Sequence, residues 1–559
     1  MNVQCVGALI KEAELLAENG RQVEAIARCR RALELLPHQA AARLLLAHLL
    51  HESRQFEEAA QEYQRITRLE PLNARAWNAY GTLFANMHQP ANAVHCFRCA
   101  LAIRPEVPHF NSNLGMALAK QGRVDLAVQY FRQALAIKPD ASAIHSNLLL
   151  ACNMQHRQNE NLMPEHREWA VRHAARLYPS SPANTAPPDA SISRVRIGYI
   201  SADFRRHPVA YFFQPLLREH NRNAFEIFCY SDVRRPDETT GAIRGRADHW
   251  RRITGFADEK VAEQIRADQL DILVDLSGHM GNHRLLVFAR RVAPVQVTYL
   301  AYPNTTGLET MDFRLTDAES DPPGLTETHY TETLVRLPAG FLCYQPPDDS
   351  PPVRQTYPHE RTGITFGCFN NFAKVTPWML ALWARVLIAL PNSRLIIKAD
   401  GLSSEQARAD TTAALAQLGV HESRVELLGR IRSFADHLGA YHRLDIALDT
   451  FPYHGTTTTC EAMWMGVPVI TLAGKSHRSR VGASLLKCVG LGDMVSSTPD
   501  QYIAIAVALA KDVDRRRQIA SQSRDRMLDS PLTRGRDFVR GLEAAYLSML
   551  RLPRRGTAG

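Results

Sequence analysis

The stretch from Leu448 to Pro468, LDTFPYHGTTTTCEAMWMGVP, runs from a strand-like apolar segment through a turn of small and hydroxyl-bearing residues into a helical pattern. Such a turn suits a diphosphate. The backbone amides of Gly455, Thr456, Thr457 and Thr458 would lie at a helix N-terminus, where unpaired N–H groups and the helix dipole favour an anion. Glu461, just inside the helix, is placed to accept from ribose hydroxyls. The plainer alternative is a threonine-rich cap that merely starts a helix.

Before and after this stretch, short β-branched runs alternate with helical patterns. They are VRIGYIS (195–201), FEIFCYS (225–231), ILVDLSG (272–278) and PVQVTYLAYP (294–303), then ITFGCFN (364–370), SRLIIKA (393–399), VELLG (425–429), IALDT (446–450) and PVITLAG (468–474). Alternation of this kind marks parallel α/β architecture. The proline-rich join YQPPDDSPP (344–352) divides the runs into two sets, so two doubly wound lobes follow. Ligands of such sheets bind beyond the carboxyl ends of the strands. The loops there carry His207, heading a probable helix after the first strand, and His279, beside the flexible Gly278 and Gly281. Those of the second lobe deliver Asn371 and Lys374 after ITFGC, and His437 ahead of a helix. Each histidine alone reads more readily as a capping or surface residue; four such loops converging on one cleft reverse that and favour a site.

The N-terminal quarter repeats. Pro37, Pro71, Pro105 and Pro139 are spaced by 34 residues, as are Ala25, Ala59, Ala93 and Ala127. That is the period of the tetratricopeptide (TPR) helical hairpin. Ala47, Gly81 and Gly115 mark close contact on the first helix of each unit, Tyr63, Phe97 and Phe131 fill the same layer, and each proline stops a second helix. Four repeats are expected over about 3–139, with 142–155 as the helix that closes the array, giving a repeat domain of 3–155. Stacked hairpins make a superhelix whose concave face binds an extended peptide or partner protein. Asn113 and Asn147 occupy equivalent positions and could hold a peptide backbone; Ala79 and Leu45 interrupt the ladder, and solvated surface asparagines are the alternative. A helical stretch around His166–Tyr178 and a Pro/Ser/Ala-rich linker at 180–193 complete a segment 156–193 before the first lobe.

The chain has 559 residues and a formal net charge of +9 without a run of five or six like charges, so no nucleic-acid tail is indicated. Ten scattered cysteines read as structural thiols of a reducing compartment. No apolar run approaches the ~18 residues of a membrane span, and the N-terminus is amphipathic with acidic residues, unlike a secretory signal. A cytoplasmic protein without a membrane partner is expected.

The TPR repeats together with LSGHMGN, RVAPVQVTYLAYPNTTG, FGCFNNFAKVTP, LDTFPYHGTTTTCEAMWMGVPVITLAG and RVGASLL resemble the O-GlcNAc transferase and SPINDLY family of protein glycosyltransferases, with wording closer to the SPINDLY branch. The resemblance implies a TPR superhelix attached to a GT-B core of two Rossmann-like lobes. These would span about 194–350 and 356–530, followed by 531–559 with a helix near Phe538–Leu550. It implies that Lys374 neutralises the donor diphosphate, that the Thr456–Thr458 turn binds phosphate, that His437 stacks on the base and Glu461 contacts the ribose. His207 would lie close to the transferred sugar and the acceptor hydroxyl, with His279 on the loop facing it. Animal members have a histidine at the position of Thr456 and an aspartate at that of Glu461, whereas SPINDLY members share the TTTTCE wording.

The reaction so implied is transfer of one sugar to a Ser or Thr hydroxyl of a protein lying along the repeats. UDP-N-acetylglucosamine is the first donor and GDP-fucose, used by plant SPINDLY proteins, the alternative. No metal or further cofactor is expected, because the phosphate loops lack a clustered Asp pair for Mg²⁺ and Lys374 can supply the charge. A nucleotide-sugar epimerase on the same core and an inactive TPR scaffold are the other classes, and a homodimer is left open.

Overall fold

The computed structural model describes residues 2–157, 159–179, 194–353 and 363–552. The expected linker at 180–193, the start of the second lobe at 356–362 and the tail at 553–559 lie outside these residues. The chain forms two compact units: residues 1–144 with 400–410, and 145–399 with 411–559.

The first unit is built from four helical hairpins: Asn2–Glu18 with Gln22–Leu35, Ala40–Glu52 with Phe56–Leu69, Ala74–Asn86 with Pro90–Ile103, and Pro108–Lys120 with Val124–Ile137. Each second helix stops two residues short of its proline, which has no N–H for the ladder. Ala25, Ala59, Ala93 and Ala127 are all fully buried. A β-carbon on Gly81 would come within 2.6 Å of the Phe97 ring, and one on Gly115 within 3.0 Å of Phe131, so the small-residue positions are those where an aromatic ring crosses the first helix. Residues 400–410 group with the repeats through the pairs His88–Asp400 at 2.9 Å and Arg123–Asp410 at 2.6 Å.

The second unit holds two parallel sheets. The first comprises β1 (Val195–Ser201), β2 (Phe225–Ser231), β3 (His249–Arg252), β4 (Ile272–Asp275), β5 (Val295–Thr298), β6 (Phe313–Thr316) and β7 (Thr333–Arg336), in the order β3-β2-β1-β4-β5-β6-β7. The second comprises β8 (Thr365–Cys368), β9 (Arg394–Lys398), β10 (Val425–Leu428), β11 (Ile446–Leu448), β12 (Val469–Leu472) and β13 (Val495–Ser496), in the order β10-β9-β8-β11-β12-β13. Strand order reverses between β1 and β4 in one sheet and between β8 and β11 in the other. Loops that diverge at such a switch point leave the crevice where ligands bind.

The helix expected only to close the repeat array plays a different part. Helix Ser142–Met154 belongs to the second unit from His145 onward. Its Leu149 enters the core of the first lobe with Trp169, Ile200 and Phe288, and Asn153 donates to the Tyr302 hydroxyl at 2.8 Å. Trp169, on helix Met163–His173, is fully buried, so this segment is part of the lobe and not a tether to it.

The two lobes are joined by buried polar bonds. His477 meets Asp321 at 2.7 Å and Ser484 donates to Asp317 at 2.6 Å, and at the surface Lys487 pairs with Glu319 at 2.6 Å. The last helix, Gly535–Arg551, returns to the first lobe, where Glu543 accepts from His220 and Tyr546 lies 3.2 Å from the Tyr199 hydroxyl. Among the described residues no helix is long and apolar enough to cross a membrane.

Candidate nucleotide-sugar site

The loop after β11 is organised by a residue that pattern reading passed over. Asp449 is 3% exposed. Its carboxylate accepts from the amides of Thr450 and Gly455, each at 2.8 Å, from the Thr471 hydroxyl at 2.8 Å, and from the Asn370 side-chain amide at 3.0 Å. The Gly455 N–H, expected to face a phosphate, is therefore already bound, which corrects that assignment. Helix Thr457–Trp464 begins immediately afterward, and Thr456 supplies no side-chain cap, so the first amides of the helix keep their outward-facing hydrogens. The Thr458 hydroxyl donates to Asn370 Oδ1, pinning the helix start to the loop after β8. Gly455 is obligatory here because a β-carbon would come within 2.6 Å of both that oxygen and the Thr458 hydroxyl.

Lys374 arrives from the loop after β8. Its Nζ donates to the His454 carbonyl at 2.7 Å and sits 3.8 Å from the centre of the Tyr453 ring. Burial pushes its pKa down to about 8, against the opposing pull of Asp449. The lysine thus holds a cation beside a helix N-terminus, where a departing diphosphate would gather charge. His454 fixes the underside of the turn: Nδ1 accepts from the Gly482 amide at 3.0 Å and Nε2 lies 2.9 Å from the Leu472 carbonyl, which binds RVGASLL to the threonine turn.

Asn371 does not join this cluster. It is exposed, and its side chain caps the short turn Phe372–Lys374 by accepting from Ala373 N at 3.1 Å. The neighbouring Asn370 turns inward instead, donating to Asp449 and Thr450 and accepting from Thr458. In the pair FNN, successive side chains leave a strand end on opposite sides, and the sequence does not say which one faces inward.

His437 lies within helix Phe434–Gly439, not ahead of one. Its Nε2 is 3.0 Å from Glu461 Oε2, and its Nδ1 meets the ammonium of Lys398. The Tyr441 hydroxyl lies 3.2 Å from the same Glu461 oxygen. Glu461 is 4% exposed, and the carboxylate oxygen expected to accept from ribose is instead held by two protein donors.

On the first lobe, His207 caps helix Pro208–Glu219: Nδ1 accepts from Val209 N at 3.4 Å and stands 3.6 Å from the Asp203 carboxylate. Burial lowers its pKa and outweighs the raising effect of Asp203; Arg205 lowers it further. The ring is therefore neutral at neutral pH, with Nε2 left to meet a ligand. One turn on, Tyr211 stacks on Phe434 with ring centres 6.1 Å apart and planes 15° apart. That contact brings the His207 helix against the helix bearing His437.

His279 does not face His207. Asp275 accepts from the amides of Ser277 at 3.0 Å and Gly278 at 2.8 Å, and Gly278 takes φ +52° with no room for a β-carbon against Tyr302. The chain so turned drives His279 inward until it is 1% exposed. There its Nδ1 meets the Ser146 hydroxyl at 3.0 Å and its Nε2 the Thr306 carbonyl at 2.9 Å. It is a packing residue of the first lobe, which corrects the expectation that it faces the transferred sugar as a catalytic residue.

In the repeats, the Asn113 side-chain amide donates to Asn78 Oδ1 at 2.8 Å, so Asn113 is partly engaged by the preceding repeat. Asn147 is half-buried on helix Ser142–Met154 in the other unit. Among the described residues, no group of three or more His, Cys, Asp or Glu side chains is placed to hold a metal ion.

Two lobes with this turn and lysine at the switch point match a known pattern: residues 136–345 and 351–542 fit the glycosyl transferase family 41, and 16–83 and 81–142 fit tetratricopeptide repeats. The chain belongs to glycosyl transferase family 41. A solved mutant of the O-GlcNAc transferase of Thermobaculum terrenum superposes with a TM-score of 0.82 at 35% identity, covering 99% of this chain and 98% of that one. The probable UDP-N-acetylglucosamine–peptide N-acetylglucosaminyltransferase SPINDLY of Oryza sativa is 44% identical over 70% of this chain and 42% of its own length. The protein of that name from Arabidopsis thaliana is also 44% identical, with 43% of its length covered. The protein named SEC from the same plant is 31% identical over 65% of this chain. The chain thus spans less than half the length of these plant relatives. Within family 41 its sequence stands nearer SPINDLY than SEC, as the TTTTCE wording implied.

Proposed function

We propose that this chain is a protein O-glycosyltransferase that moves a single sugar, N-acetylglucosamine from UDP-GlcNAc, to Ser or Thr hydroxyls of acceptor proteins recruited by its repeats. The observation that carries the reading is Lys374, poised over Tyr453 at the start of helix Thr457–Trp464. A leaving nucleoside diphosphate gains negative charge as the glycosidic bond breaks, and a fixed cation with preoriented amides stabilises that state more than the bound donor. Neutral His207 supplies a ring nitrogen at the opposite lobe, fit to orient the acceptor hydroxyl or to take its proton. The names of the relatives support the peptide acceptor and the GlcNAc donor.

The test is calorimetric titration of the purified chain with UDP-GlcNAc and GDP-fucose in parallel, with Lys374→Ala as control, followed by mass spectrometry of an acceptor protein. UDP-GlcNAc binding that is lost in the variant, with N-acetylhexosamine on the acceptor, is the expected result. Preferential binding of GDP-fucose would replace the donor, free epimerised sugar would replace transfer by epimerisation, and no binding of either would leave a scaffold.

A further inference from the structure

Lys398 ends β9 at the rim of the second sheet where a ligand of a doubly wound fold sits. It is 9% exposed, and its Nζ stands 5.0 Å from the centre of the Phe369 ring while meeting Nδ1 of His437. An ammonium has three hydrogens to give and no lone pair to receive with, so Nδ1 must be the acceptor. The other ring nitrogen then carries the proton and donates to Glu461 Oε2 at 3.0 Å. Both polar atoms of the imidazole are consumed in the plane of the ring, between a fixed cation and a fixed anion. Phe434, Phe369 and Tyr441 surround it with ring centres 6.0, 6.4 and 5.7 Å away.

We infer that Lys398 is a positioning residue that locks the tautomer and plane of His437, so that His437 offers a nucleotide base its ring face and no hydrogen bond. The inference rests on the donor-site reading above and extends it. Every base has a π-face, so a histidine held in this way attracts uracil and guanine alike and does not sort them. Discrimination between the two nucleotides must come from other groups of the pocket. Lys398 itself need not touch the donor; it acts through the ring it orients.

The experiment uses the full chain. The ¹⁵N shifts of His437 report which nitrogen is protonated, and titrations of UDP and GDP into wild type, Lys398→Met and Lys398→Arg report affinity. Wild type is expected to show the Nε2–H tautomer. Lys398→Met should weaken both nucleotides by the same factor, about tenfold, as befits a lost charge-assisted hydrogen bond. It should raise KM for the donor with kcat little changed, and Lys398→Arg, which keeps a donor at that place, should recover most of the affinity and the Nε2–H tautomer. Unchanged affinity in Lys398→Met, a loss confined to one nucleotide, or an Nδ1–H tautomer in wild type would overturn the inference. Failure of wild type to bind either nucleotide would instead overturn the donor-site reading, while the tautomer still decides the role of Lys398. If Lys398→Met does not fold, the Arg variant and the tautomer decide alone.

Discussion

The amide of Gly455 donates to the carboxylate of Asp449 at 2.8 Å. The turn is therefore shaped before any ligand arrives, and the amides that the proposed function offers to a phosphate begin only with the threonines that follow. Asp449→Ala would strand the amides of Thr450 and Gly455 in a buried place, at about 1–3 kcal/mol for each group left unsatisfied, and would take one partner each from Thr471 and Asn370. A lower melting temperature and loss of nucleoside diphosphate binding are expected together. Separate measurements of thermal unfolding and titration check this; an Asp449→Ala variant that melts and binds like wild type would remove the carboxylate from the design of the turn.

Lys374 gives the site a pH dependence of definite sign. Its pKa in the free protein is pushed down to about 8, so it is cationic below that pH and neutral above. Diphosphate affinity should hold from pH 6.5 to 7.5 and fall as pH passes 8, whereas an unperturbed lysine would hold its charge to about pH 10. Lys374→Arg, always charged, should bind less well through its altered geometry yet show no such fall. Titrations at pH 7 and pH 9 decide it, and equal wild-type affinity at both would contradict the placement of the charge.

His207 is expected to act on transfer and not on donor binding. Its ring stands on the first lobe, apart from the Lys374 and Asp449 cluster of the second. Replacing it with alanine should cost about 10²–10⁴ in kcat if it moves the acceptor proton, with nucleotide affinity nearly unchanged. Single-turnover transfer beside a titration separates the two. Transfer at a near-normal rate would take His207 out of the chemistry.

What the sequence disclosed and what it withheld follow from the reach of the interactions. The strands Val195–Ser201 and Phe225–Ser231 were legible to the residue because β-branched and aromatic side chains fill them. The polar β3, HWRR, carries no such pattern and was missed. Lys374 and the threonine turn stood out because small, hydroxyl and basic residues cluster in a few positions of chain. Asp449 and Asn370 did not, since their importance lies in a hydrogen bond between loops 79 residues apart. His279 misled for a related reason: a glycine-rich loop announces a turn, but Ser146 and Tyr302, far from it in sequence, decide together with the local Asp275 which way it points.

The repeats allow a direct test of packing. A β-carbon at Gly81 would lie 2.6 Å from Phe97, closer than any real contact, and the ring is buried with nowhere to go. Gly81→Ala should destabilise the array by about 1–3 kcal/mol, as overpacking does, even though alanine is the better helix former. Gly115→Ala, at 3.0 Å from Phe131, should cost less. Helical circular dichroism through thermal unfolding ranks the two. Stabilisation by Gly81→Ala would show that helix propensity outweighs the clash.

The strongest acid sensitivity should come from the buried histidines of the first lobe. Leu285 N–H reaches His283 Nδ1 at 3.3 Å, His283 Nε2 meets the Ser146 hydroxyl at 2.8 Å, and that hydroxyl meets His279 Nδ1 at 3.0 Å. His279 Nε2 ends the chain at the Thr306 carbonyl, which can only accept. Every hydrogen is accounted for with both rings neutral, and a further proton would break a link. His166 is likewise satisfied when neutral, between the Leu162 carbonyl and the Tyr302 hydroxyl, and His145 meets His173 at 3.0 Å. The charges that act on these rings are those of Arg172, Arg284, Arg314 and Arg478, all of which oppose protonation. Burial is the first cause, pushing His145, His166 and His283 down to about 4 and His279 well below its usual value. Between the unfolded value near ~6.5 and pH 4 the unfolded chain takes up protons that the folded chain refuses, so this stability is complete above about pH 6.5 and is lost on acidification. Each unit of depression contributes about 1.4 kcal/mol, and several rings act together. Urea unfolding of the catalytic unit should weaken steeply from pH 7 to pH 5, with uptake of more than one proton. His283→Gln, which removes one titrating ring, should flatten the slope. A profile flat across that range would mean that these rings are open to solvent or already charged in the folded protein.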